Sequence, residues 1–384
     1  MHRRDFFRLL LGVPFALAAP TSMATTQGKT LILIELSGGN DGLNTLVPYR
    51  DPLYAKLRPK LALKPEQLLP ISENLALNPA LSALYPWWKK GNLAWVQGLG
   101  YPQPNRSHFS SLDIWETGSG SEQSLSQGWL AKVIPKLHGN HDVDGISLSS
   151  DLGPLSGLKN SVLLTDIKHF IQQAHSLNTN ITGGTHNPAL DHIRQVSAQA
   201  RIAADKLAHR LHNNHTNILP SFPNNAFGKR LAIAAQLMLA GVQSPVIKLI
   251  LGSFDTHNNQ RGTHEKLLKN LADGIDIFAR SLMAHNLWQN TLIVTYSEFG
   301  RRVIENASQG TDHGTAAAHL VMGGSVKGGI IGATPTLSNL DNGDLRFTTD
   351  FRQLYASLSH HWWGVSNDVL QTKGFSTLPL FKAV

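Results

Sequence analysis

An α/β fold, with a mostly parallel central sheet flanked by helices, is what this sequence predicts, and three features predict it. Short, continuous apolar runs rich in β-branched residues alternate with segments of helical period, as expected of strands buried on both faces and joined by helices. The 384-residue chain leaves roughly 360 residues after a short leader, which suits one large α/β domain. Carboxylates and imidazoles follow the strand runs, where open α/β sheets bind ligands.

The chain opens on "MHRRDFFRLLLGVPFALAAPTSMATT". Arg3, Arg4 and Arg8 precede an apolar run over 9–19, and Ser22-Met23-Ala24 offers a small-x-small cleavage site. Residues 1–24 therefore read as a signal peptide of the twin-arginine type, engaging the twin-arginine export machinery. The expected location is the periplasm or the extracellular space. No later run reaches some 18 consecutive apolar residues, so no stable membrane span is expected after cleavage.

Strand runs fall at 30–36, 93–97, 161–164, 246–251, 291–296 and 319–322. They are short and unbroken rather than alternating, which argues for burial on both faces of a parallel sheet. Apolar residues at helical spacing mark 195–213, 226–241, 264–286 and 350–364, with Gly241 and Gly364 as stops. Residues 25–384 read as a single domain. Its polar, turn-rich stretch near 165–190 is expected to be an insertion or lid over the sheet.

The chain has no cysteine, which removes thiolate metal sites and cysteine nucleophiles. A formal charge of +8 is spread thinly, without a basic run or interleaved aromatics, so nucleic acid is not an expected partner. Eighteen histidines against six tyrosines and eight tryptophans make imidazole the functional group to follow.

Three strand ends and one adjoining loop lead to chemistry. "LILIELSGGNDGLNT" carries Asp41 into a loop of glycines, as a turn or as the presentation of a ligand group at a strand end. "GSFDTHNNQ" brings Asp255 and His257, "SEFGRR" brings Glu298, Arg301 and Arg302, and "GTDHG" brings Asp312 and His313. Singly, such residues cap helices or close Asx-turns; together they predict one cleft. Asp41, Asp255, His257, Glu298, Asp312 and His313 are the candidate metal ligands. Donors without sulfur suit a divalent ion, Zn, Mn or Mg. In "YPQPNRSHFSSLDIWETG", Ser107 begins a helical stretch and reads as an N-cap or, beside a metal, as a nucleophile.

The twin-arginine start, "GGNDGLNTLVPYRDPLYAKLRP", "NRSHFSSLDIWETG", "FDTHNNQ", "SEFGRRVIENASQGTDHG" and "DFRQLYASL" together resemble the bacterial family catalogued as domain of unknown function 1501. That family looks like a distant branch of the alkaline phosphatase/sulfatase superfamily, so the resemblance implies an alkaline phosphatase-like fold. It also implies that Asp41 matches the superfamily's first Asp, that Asp255 and His257 resemble its Asp…His pair, and that Glu298 and His313 stand at the later Asp and the final His. Phe299 replaces a ligating residue, and an ungapped match places His108, not Ser107, at the nucleophile position. Ser107, His108 and Arg301 are accordingly the candidate catalytic residues. Arg301 is expected to grip a tetrahedral oxyanion and to offset the loss of a second ion, leaving one tightly bound metal.

The implied function is an exported metal-dependent hydrolase of phosphate or sulfate esters, acting on an anionic small molecule or glycan. The alternative is a catalytically degenerate member of the fold serving as an envelope or extracellular binding protein.

Overall fold

The computed structural model of the protein describes residues 28–177, 187–212, 219–370 and 374–383; the leader at 1–24 lies outside them. Nine strands form one sheet. They are β1 (Thr30–Leu36), β2 (Leu93–Gly100), β3 (Gly145–Leu148), β4 (Ser161–Leu163), β5 (Val246–Leu251), β6 (Thr291–Tyr296), β7 (Ala317–Gly323), β8 (Gly329–Ile331) and β9 (Thr349–Asp350). The order is β8-β2-β7-β6-β1-β5-β3-β4, with β9 also paired to β2. Every pairing is parallel except the two made by β7, which runs antiparallel between β2 and β6.

β1 shows why the runs are unbroken. Ile32, Ile34 and Leu36 enter one apolar layer, and Leu31 and Leu33 enter another; successive side chains leave a strand on opposite faces, and here both are covered. The first layer is closed by Phe227 and Leu231 of α4 (Ala226–Leu239) and by Leu271, Ile275 and Phe278 of α5 (Gln260–Ala284). The second holds Trp115 of α1 (His108–Thr117), Trp129, and Phe351 and Tyr355 of α6 (Phe351–Ser357). Each fully buried side chain of this kind contributes about 1.5–3 kcal/mol.

Local signals set the ends. Asp350 and Gln353 form a capping box on α6, and Gly118 closes α1 at φ +70°, a conformation that costs glycine little. The helix over 350–364 is shorter than its spacing suggests: it passes into a π-helix over Leu358–Trp362 before Gly364.

Two expectations need correction. The run at 319–322 joins the sheet antiparallel rather than with the parallel set, because periodicity reports burial on both faces and carries no direction. β3, β8 and β9 were not foreseen; they are two to four residues long and too brief for a period to register. The described part of the 165–190 segment forms α2 (Ile167–Ser176), which follows edge strand β4 and packs on α3 (Pro188–His212). Phe170 and Ile171 lie against the first apolar layer. Residues 178–186 of that segment lie outside the described residues. Among the described residues, no helix is long and apolar enough to cross a membrane.

Candidate metal centre

The loop after β1 is bare because three chain segments meet there. Gly38 has φ +114°, and a Cβ on it would lie 2.4 Å from the Asp255 nitrogen; Gly39 has φ +80°, and a Cβ would lie 2.6 Å from the Phe299 ring. Only glycine permits both the backbone conformation and the approach. Asp41, next along, turns away from the other candidates. It caps the short helix Gly42–Thr45 through the N–H groups of Leu43 and Asn44. Its Oδ2 accepts from Arg58 Nη1 at 2.6 Å and from Gln260 Nε2 at 2.5 Å. Burial would raise this carboxyl, but Arg58, His264 and Gln260 together outweigh it and hold Asp41 below its usual range. The expected ligand is thus an ion-pair partner, engaged behind the site.

The remaining groups arrive at one edge of the sheet. β5 delivers Asp255 and His257, β6 delivers Glu298, and β2 leads into α1, whose first residue is His108. Because β7 runs antiparallel, the loop that precedes it, carrying Asp312 and His313, reaches this same edge. His108, Asp255 and His313 offer ligand atoms within 4.8 Å of one another. His257 Nε2 lies 3.0 Å from His313 Nε2 and 3.0 Å from Asp255 Oδ1; His313 Nε2 lies 3.2 Å from the same oxygen.

Partners assign the tautomers. His108 Nδ1 is 2.7 Å from Glu298 Oε1, His257 Nδ1 is 3.1 Å from Asp312 Oδ1, and His313 Nδ1 is 2.9 Å from the Arg106 carbonyl. All three partners are acceptors, which suits a proton on each Nδ1; the Nε2 atoms of His257 and His313 face Asp255 Oδ1 and would turn lone pairs to an ion bound there. His108 Nε2 is buried without a hydrogen-bond partner; its nearest acid oxygen, Asp255 Oδ2, is 3.5 Å away. Burial lowers the His313 pKa, which favours the neutral form a cation needs. Burial would raise the Asp255 carboxyl, yet the Arg301 guanidinium with His313 and His257 outweighs it and keeps the pKa low.

This donor set fits a divalent ion. Tetrahedral ligation at about 2.0–2.1 Å sets neighbouring ligand atoms about 3.3 Å apart; His257 Nε2, His313 Nε2 and Asp255 Oδ1 lie 3.0–3.2 Å from one another, and His108 Nε2 stands 3.5 Å from the other Asp255 oxygen. The carboxylate or carbonyl on each distal imidazole nitrogen is the usual support of a ligating histidine. Glu298 and Asp312 stand against the distal imidazole nitrogens of His108 and His257, not among the facing ring atoms. Glu298 is filled by donors: Gly38 N and His108 on Oε1, and the Ser297 hydroxyl on Oε2.

Two candidate catalytic residues sit differently from expectation. Arg301 is fully buried, and its guanidinium donates to the carbonyls of Gly38, Gly39, Phe254 and Thr311 and to Asp255 Oδ1 at 2.7 Å. A fork so committed ties the strand-end loops together and does not reach out to grip an oxyanion. Ser107 is exposed at the start of α1 and makes no capping bond through its side chain; the helix turns His108 into the cluster instead. Phe299 is buried, with its ring centroid 4.9 Å from that of His108 and 4.6 Å from that of His313.

Arg58 and Gln260 went unassigned in the sequence, although both stand in the quoted motifs, "YAKLRP" and "FDTHNNQ". Nothing in their spacing reveals that they meet Asp41.

The family described as "Protein of unknown function (DUF1501)" matches residues 87–372. The chain belongs to that family. The match spans the imidazole cluster from His108 to His313. No curated protein matches the chain. Among solved structures, it is similar to the lipoteichoic acid synthase LtaP from Listeria monocytogenes, at 11% identity and TM-score 0.36, over 85% of this chain and 76% of that one. The PsFucS1 sulfatase from Pseudoalteromonas sp. is 11% identical, with TM-score 0.38 over 88% and 68%. The C-terminal periplasmic domain of EcEptC from Escherichia coli, in complex with Zn, is 11% identical, with TM-score 0.35 over 77% and 73%.

Proposed function

We propose that this family member is an exported metal-dependent hydrolase of phosphate or sulfate esters. The observation that carries the reading is the cluster at the carboxyl edge of the sheet, where His108, His313 and Asp255 offer ligand atoms within 4.8 Å of one another and His257 Nε2 lies 3.0 Å from both His313 Nε2 and Asp255 Oδ1. His108, His257, His313 and Asp255 would hold the ion, and three nitrogens with one oxygen favour zinc over magnesium. A bound divalent ion supplies a Lewis acid for an ester oxygen and a means of lowering the pKa of water.

The chain's own part is to hold each Nδ1 proton on Glu298, Asp312 or the Arg106 carbonyl, which keeps every Nε2 free for ligation. A cavity of about 500 Å³ adjoins the cluster through Phe299, and Arg106 and Arg346 line it. Arg346 supplies positive charge for an anionic ester where Arg301 cannot, whereas Arg106 is paired with the buried Asp344. The leader at 1–24 supports export by the twin-arginine route to the periplasm or beyond.

The test is metal content in purified, unsupplemented protein, followed by hydrolysis of aryl phosphates and sulfates before and after chelation. About one equivalent of ion per chain and chelator-sensitive turnover are expected. Protein that neither carries a divalent ion nor gains thermal stability when zinc is added overturns the reading. Tight metal binding without turnover supports the second reading, a binding protein of this fold. The Phe299 ring, packed where a further ligand would stand, favours that alternative.

A further inference from the structure

Behind the cluster lies a buried polar chain that no metal chemistry uses directly. Gln260, the first residue of α5, is fully buried. Its Nε2 donates to Asp41 Oδ2, and its Oε1 accepts from the hydroxyls of Thr256 at 3.1 Å and Thr311 at 2.6 Å. The amide cannot be turned over, because two hydroxyl donors face one end and a carboxylate faces the other. Asp41 in turn is held by Arg58, whose Nε and Nη2 donate to the carbonyls of Val303 and Arg302.

Thr256 stands between Asp255 and His257, and Thr311 immediately precedes Asp312 and His313. One carboxamide thus touches both loops that bring His257 and His313 to a 3.0 Å separation. The backbone joins the same seam, with Thr311 N donating to Thr256 O at 3.2 Å and Gln260 N to Gln309 O at 2.9 Å.

We propose that Gln260 is a positioning residue of the metal centre, coupling the Asp41–Arg58 ion pair to the two loops that carry His257 and His313. The proposal rests on the metal reading above. Mispositioning by an ångström is costly for a ligand set. Loss of supporting contacts around a metal typically costs tenfold to a hundredfold in affinity.

The experiment measures zinc dissociation constants by chelator competition and the Co²⁺ absorption spectrum, with the melting temperature of the metal-free protein recorded separately. Gln260→Leu is expected to raise the zinc dissociation constant about 10- to 100-fold and to alter the cobalt bands. Thr311→Val and Thr256→Val, which each remove one hydroxyl, are expected to raise it about fivefold. They decide the matter if Gln260→Leu fails to fold. A lower melting temperature with wild-type zinc affinity and an unchanged cobalt spectrum shows a merely structural role and overturns the proposal. Wild-type protein that binds no metal defeats the functional reading itself, and this inference with it; that failure is visible before any variant is made.

Discussion

The sheet carries two clusters of acids, one on its face and one at its edge, and they are neutralised in opposite ways. On the face, Lys248 Nζ of β5 lies 2.5 Å from Asp151 Oδ1, 3.1 Å from Glu35 Oε2 and 3.4 Å from Glu116 Oε1. The Tyr296 hydroxyl donates to Glu35 and Glu116. Burial works against the ammonium, but the carboxylates outweigh it and raise the Lys248 pKa. This cluster contains its own cation. At the edge, Asp255 has Arg301, and three imidazoles gather round it with their Nδ1 atoms turned outward to Glu298, Asp312 and the Arg106 carbonyl. Acidity is common to both, but the face cluster is closed around a buried ammonium while the edge cluster is half-open to solvent, with Asp255 46% exposed. What separates the two is whether the acids already hold a cation of the chain's own.

The largest effect that tests this contrast is removal of the built-in cation. Lys248→Met strands three acids around an apolar chain, and breaking a buried ion pair from one side costs about 3–5 kcal/mol. Urea denaturation should show that loss, while zinc affinity per folded molecule stays at the wild-type value. A shift in zinc affinity would mean that the two clusters are one system. Next in size is Glu298→Gln, which weakens the hold on the His108 Nδ1 proton. Zinc affinity should fall about tenfold to a hundredfold, with the unfolding midpoint nearly unchanged, as chelator competition and denaturation can report together.

The smallest effect is a pH dependence that belongs to the face cluster. Burial, reinforced by Glu35 and Asp151 and opposed by Lys248, pushes the Glu116 pKa from 4.5 up to about 7. A carboxyl raised on folding binds its proton more tightly in the folded chain than in the unfolded one. Its stabilisation is therefore complete below pH 4.5 and is lost as pH rises toward 7. A decline on the order of 1–3 kcal/mol is expected across that window, and Glu116→Gln should flatten it. A wild-type profile that rises through the window would reverse the assignment.

Much of the fold could be read from the chain because a two-sided sheet writes itself as unbroken apolar runs. The runs at 30–36, 246–251 and 291–296 match β1, β5 and β6 to the residue. Strand direction could not be read, as β7 shows, since nothing in the 319–322 run distinguishes parallel from antiparallel pairing. The site divides similarly. Asp255, His257 and His313 meet as their positions after and between strands suggest. His108 entered only through the family resemblance, at the nucleophile position; the helix start drew attention to Ser107 instead, and only the turn of the first residue shows which side chain points inward. Asp41 and Arg301 carry the right chemistry, but their partners are fixed by contacts more than 200 residues apart in the case of Gln260 and the Gly38 and Gly39 carbonyls. No local pattern encodes such pairings.

The reversed strand has a consequence for how the protein comes to maturity. Ligands at positions 108, 255, 257 and 313 become neighbours only after β7 has inserted between β2 and β6, two strands separated by nearly 200 residues of chain. Closing such long loops costs entropy before any contact repays it, and topologies rich in distant contacts fold slowly. Collapse of the β1, β5 and β6 core can precede that insertion, but the fourfold donor set cannot. On the metal reading proposed above, capture of the ion would report completed folding rather than assist its early steps, because a chain that has not yet formed β7 would offer no assembled donor set.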